Sequence, residues 1–87
     1  MLRHVHGGEV LASLYRIVVY NRPGKRLYYD GSRDKDGPFH FLEEKAVLFG
    51  TFHRAQVRWG DLYAKWQDPV IEELYETFVG RRCVQVL

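Results

Sequence analysis

The stretch "FHRAQVRWGDLYAKWQDPVIEELYETFVG", residues 52–80, decides the fold class of this 87-residue chain. Its first half admits two readings. Residues 54–59, "RAQVRW", alternate between apolar and polar side chains, as a half-buried strand does. Over the longer window, at about 100° per residue, Phe52, Ala55, Trp59, Leu62, Tyr63 and Trp66 fall within an arc of about 100°. Arg54, Arg58, Asp61 and Lys65 fall opposite. The longer pattern outweighs the shorter one. Thr51 suits an N-cap, where its hydroxyl accepts from an early helical N–H. Gly60 costs about 1 kcal/mol against alanine in a helix interior, which weakens the helix without replacing it. The spacing predicts an amphipathic helix over 51–67.

The second half carries its own helix signals. Asp68 can cap, and Pro69 suits the first helical position, where no N–H is needed. Val70, Ile71, Leu74, Tyr75 and Phe78 share one helical face, with Glu72, Glu73 and Glu76 on the other. Gly80 fits the residue just past a helix end. These signals predict a second helix over 68–80.

Working outward, "VLASLYRIVVYN" (10–21) is rich in β-branched and aromatic residues and reads as a strand. "RPGK" (22–25) sets Pro23 and Gly24 in the order a type II turn requires. "RLYYD" (26–30) then returns antiparallel and completes a hairpin. "GSRDKDGP" (31–38) reads as an exposed loop. "FHFLEEKAVLFG" (39–50) leans to helix through Glu43, Glu44, Lys45 and Ala46, although "AVLF" is apolar enough for a buried strand. "RRCVQVL" (81–87) reads as a last strand joining the hairpin's sheet. Residues 1–8 form a flexible lead-in, and 9–87 form one domain. The expected fold is α+β in two layers: an antiparallel sheet of the N-terminal hairpin and the C-terminal strand, covered by two or three helices.

Composition bounds the function. The 13 basic and 11 acidic side chains leave a net charge of only +2, which neither demands nor forbids a nucleic-acid partner. The single cysteine, Cys83, has no intrachain partner, which favours a reducing compartment. No apolar run reaches the ~18 residues of a membrane span. The N-terminus lacks the apolar stretch of a signal peptide. The expectation is a cytoplasmic protein with no membrane partner.

No residue pattern establishes catalysis. P-loop, nucleophile-elbow and dinucleotide fingerprints are absent from the sequence. Residues 32–43, "SRDKDGPFHFLE", place Asp34, Asp36, Gly37 and Glu43 at positions 3, 5, 6 and 12 of a calcium-loop pattern. Ser32 stands where the first carboxylate ligand belongs, so a solvated loop is the better reading. His4, His6, His40, His53 and Cys83 lack the spacing of a zinc site. The reading therefore contains no enzyme, no cofactor and no metal site.

Two binding readings remain. Trp59 and Trp66, with Tyr28 and Tyr29 from the hairpin, form an aromatic set large for one small core. Aromatics that reach the surface are the residue types that dominate protein–protein hot spots. The favoured function is a small non-enzymatic binding protein (inhibitor, adaptor or regulator) docking onto another protein. The alternative is nucleic-acid binding. Arg22, Lys25 and Arg26 at the hairpin tip, with Arg54 and Arg58 on the helix face, would then grip phosphates. An exposed sheet edge also permits pairing with another copy of the chain.

Overall fold

The computed structural model describes residues 4–5, 8–9, 12–20, 24–33, 37–66, 68–77 and 80–87. Its elements are β1 (His4–Val5), β2 (Gly8–Glu9), β3 (Ala12–Tyr20), β4 (Arg26–Tyr29), β5 (Phe39–His40), a 3-10 turn (Glu43–Lys45), α1 (Phe52–Tyr63), β6 (Val70–Thr77) and β7 (Gly80–Gln85). Strands β1 and β2 form a small antiparallel ladder of their own. The other five make one antiparallel sheet in the order β5-β4-β3-β6-β7.

The expected two or three helices over a sheet give way to a five-stranded sheet carrying one α-helix. Residues 68–80 are the main correction. Val70–Thr77 form β6, which lies beside β3 with Leu14 opposite Leu74 and Ile17 opposite Ile71. On a strand, consecutive side chains point to opposite faces. Glu72 and Glu73 therefore part company, and both are buried. Each has a partner on its own face: Arg16 and Arg26 reach Glu72, and the Tyr15 hydroxyl donates to Glu73 at 3.4 Å. Asp68 does not cap a helix. It adopts a positive φ of 48° and turns the chain from α1 into β6. Gly80 has a φ of 128°, but as the first residue of β7. Phe78 lies outside the described residues.

Residues 39–50 are the second correction. Beyond β5 and the 3-10 turn, this segment runs extended and continues the sheet where β4 diverges from β3. Tyr15 and Phe49 exchange backbone hydrogen bonds at 2.9 and 2.7 Å, and the Val47 N–H donates to the Tyr29 carbonyl at 2.8 Å. Helix formers at 43–46 lose to Phe39, Val47 and Phe49, all of which pack against the core.

The helix expected over 51–67 forms over Phe52–Tyr63, and residues 64–66 lie beyond its end in a turn and bend. The Thr51 hydroxyl accepts from the Arg54 N–H at 3.2 Å, as an N-cap does. Ala55 and Leu62 are its buried residues. They meet Ile17, Tyr29 and Ile71, around which Tyr15, Phe52, Trp59 and Trp66 also pack. Ile17 and Ile71 are completely buried and directly opposed. Truncating either to alanine costs about 2–5 kcal/mol. The β3–β4 hairpin stands as expected, with Gly24 at φ 100° as its turn requires.

Candidate functional site

The sheet has one face under α1 and one that carries no α-helix among the described residues. Alternation assigns the side chains. Tyr15, Ile17, Val47, Phe49 and Ile71 face the helix, so Leu14, Arg16, Leu48, Glu72 and Leu74 face the other way. This open face is where charge and uncovered apolar surface come together.

Its centre is a buried ion network. Arg16 and Glu72 are each only 5% exposed, and Arg16 Nε donates to Glu72 Oε1 at 2.9 Å. Arg26 Nη2 donates to the same oxygen. Arg16 Nη1 reaches Glu43 Oε1 at 2.7 Å, from the 3-10 turn that overhangs the face. The Tyr28 ring lies beneath both guanidiniums, 4.8 Å from Arg16 and 5.5 Å from Arg26. Burial works against the Arg16 charge, but hydrogen bonds to Glu43 and Glu72 more than offset it. Glu43 is pulled below the ordinary carboxylate range by its hydrogen bond to Arg16 and by that residue's charge. Arg16 Nη2 also lies 3.7 Å from Cys83 Sγ. Burial, then the nearby Glu72 charge, pushes the Cys83 thiol up, so this cysteine is not an activated nucleophile.

Beside the network runs a groove of about 480 Å³. Leu14, Leu48 and Leu74 supply its apolar lining, and Glu43, Glu44, Glu76 and Arg81 supply charge. Leu14 and Leu48 remain 40% and 51% exposed. Arg81 Nε holds Glu76 Oε1 at 3.0 Å. The rim is weakly acidic once that pair and the Arg16 contact are counted. None of these groove residues belonged to the sequence-derived site. Reading 68–80 as a helix hid the face that Leu14 shares with Leu74.

The sequence-derived candidates are scattered. Tyr28 points away from the helix as a hairpin residue should, but Arg16 and Arg26 cover it and it is buried. Tyr29 is in the helix-side core. Trp59 is half-buried, and its indole N–H donates to the Pro69 carbonyl at 2.7 Å. Trp66 is half-buried against Phe39, with ring centres 5.1 Å apart. Among the described residues the exposed aromatics are Tyr20, Phe41 and Tyr63. Tyr63 lies 5.0 Å from the Trp59 ring.

The basic set is also divided. Arg26 is committed to Glu72. Arg54 and Arg58 are exposed on α1, Arg58 lying 3.7 Å from Asp61. Lys25 is exposed at the hairpin tip, and Arg22 lies outside the described residues. Asp34 and Asp36 of the calcium-loop pattern also lie outside them, while Glu43, its last position, is turned to Arg16. Among the described residues no group of histidine, cysteine or carboxylate side chains is placed to hold a metal ion. No helix among them is long and apolar enough to cross a membrane. Compared with protein-family models, with curated proteins and with solved structures, the chain finds no match in any of the three.

Proposed function

We propose that this is a small non-enzymatic binding protein, acting as an inhibitor, adaptor or regulator, that docks another protein onto the open face of its sheet. The observation that carries this reading is the groove between Leu14, Leu48 and Leu74. It combines half-exposed leucines with fixed charges held by the Arg16 and Arg81 contacts. Apolar surface rimmed by charge is the usual anatomy of a protein interface. Glu43, Glu44 and Glu76 favour a partner segment whose apolar anchor is flanked by lysine or arginine. Trp59 and Tyr63 offer a second aromatic contact on α1. Tyr28, Tyr29 and Trp66 support the scaffold beneath.

The test is a co-purification comparison in a cytoplasmic extract. Wild-type chain should retain a discrete protein that Leu48→Glu loses and that Arg54→Ala retains. If the retained material instead absorbs at 260 nm, elutes with salt and is lost with Lys25→Ala/Arg54→Ala/Arg58→Ala, the chain binds nucleic acid and the protein-docking reading fails.

A further inference from the structure

The two edges of the sheet are unequal. One ends in β5, a strand of two residues. The other ends in β7, six residues long, every one of them exposed. No described strand pairs with the outer edge of β7. Proteins blunt such edges with short strands, proline, bulges or charge. The β5 edge is short. The β7 edge has only Arg81 and Arg82.

Backbone direction along β7 follows from its partner. The Val86 N–H donates inward to the Ile71 carbonyl. By alternation, Arg81, Cys83 and Gln85 aim their N–H and C=O groups away from β6. A second copy pairing antiparallel must match these outward residues with its own. A two-fold axis at Arg81 or Arg82 opposes that arginine with itself. An axis at Cys83 sets Arg82 against Val84 and Arg81 against Gln85, with no like charges opposed. An axis at Val84 also avoids the clash, but draws in residues 86–87, which lie beyond the regular strand.

We infer that β7 is a self-association edge, pairing antiparallel with β7 of a second copy about an axis at Cys83 and joining two sheets into one of ten strands. The occupant is this chain itself because the arginines that would repel a careless pairing leave one register over residues 81–85 in which each faces a neutral side chain. A net charge of only +2 sets little general repulsion between copies. A five-residue ladder buries less than a permanent dimer needs, so the association is weak and reversible. The axis is perpendicular to the sheet, so both open faces lie on the same side. The inference does not depend on what the groove binds.

Sedimentation of the full chain from about 10 µM to about 1 mM covers the range of a weak interface. Wild type should shift from monomer to dimer. Gln85→Lys opposes Arg81 twice and should raise the dissociation constant at least about tenfold. Gln85→Glu should lower it. Gln85→Pro removes an outward N–H from each copy and should abolish the dimer while the pairing with β6 survives. Position 85 stands opposite Glu72 within the monomer, so lysine favours the fold and glutamate disfavours it. Melting temperatures should therefore rank these two variants in the reverse order, which separates assembly from folding. Opposed Cys83 residues at a hydrogen-bonded pair have Cα atoms about 5.5 Å apart, within disulfide reach. Diamide, accepting two electrons and two protons from the thiols, should link wild type faster than Gln85→Lys. A chain that stays monomeric throughout, or a dimer indifferent to the charge at 85, overturns the inference.

Discussion

Arg16 and Glu72 stand directly opposite each other across β3 and β6, 2.9 Å apart and buried, on the sheet face opposite α1. A buried pair is costly to break and cheap to replace as a unit, because a lone charge keeps its desolvation penalty and loses its partner. Glu72→Leu should cost about 1–3 kcal/mol, since Arg16 loses its buried partner and keeps only the exposed Glu43. Arg16→Met/Glu72→Leu should cost less than Glu72→Leu alone. Urea unfolding of both variants measures this, and equal losses would mean that Glu43 alone compensates the Arg16 charge once Glu72 is gone.

Glu43 gives the fold an acid limit. Its pKa is depressed in the folded state by the hydrogen bond and charge of Arg16. A depressed carboxylate contributes stability that is present above its unfolded pKa of about 4.3 and is lost as pH falls through the folded value. The wild type should therefore lose an increment below about pH 4 that Glu43→Gln lacks. The increment should stay under about 1 kcal/mol because Glu43 is 62% exposed and solvent screens the pair. Thermal melts from about pH 3 to about pH 6, within about two units of that reference, measure it.

Gly37 should tolerate no side chain. Its φ is 98°, and a Cβ there would run into the Trp66 ring, which is itself braced by Phe39. Gly37→Ala should destabilise by more than about 1 kcal/mol, the usual left-handed penalty, because the indole must also move. A red shift in tryptophan emission should accompany the loss.

Trp59 ties the helix to the start of β6 through the Pro69 carbonyl. Trp59→Phe keeps most of the apolar volume and leaves that buried acceptor unpaired. The expected cost is about 1–3 kcal/mol, chiefly the unpaired carbonyl. Hydrogen exchange should show the added opening around residues 68–71 rather than across the β3–β4 hairpin.

These elements also show what was legible in the sequence. The β3–β4 hairpin was readable because its signals are local: two β-rich runs close in sequence and Gly24, which takes a positive φ between them. The helix over 52–63 was readable because its apolar arc and Thr51 cap are local too. Strand β6 was not. Val70, Ile71, Leu74 and Tyr75 satisfy a helical face as well as they satisfy a strand, and two adjacent glutamates look like a solvated surface. What makes them a strand is Arg16 on one face and Tyr15 on the other, 56 and 58 positions away. The groove vanished from view for the same reason, since its leucines become neighbours only after β6 pairs with β3.

That distance has a consequence for how the protein is made. Strand β3 is the middle of the sheet, yet its longest pairing is with residues 70–77. On the ribosome, β3 and the β4 hairpin emerge early and must wait for a partner synthesised dozens of residues later. Ile17 and Arg16, buried at the end, are both uncovered until then. Non-local pairing of this kind slows folding relative to a helical chain of equal length. The nascent protein thus passes through an interval in which its central strand is an open template. The order of synthesis, more than the finished fold, sets when this chain is most exposed to misassembly.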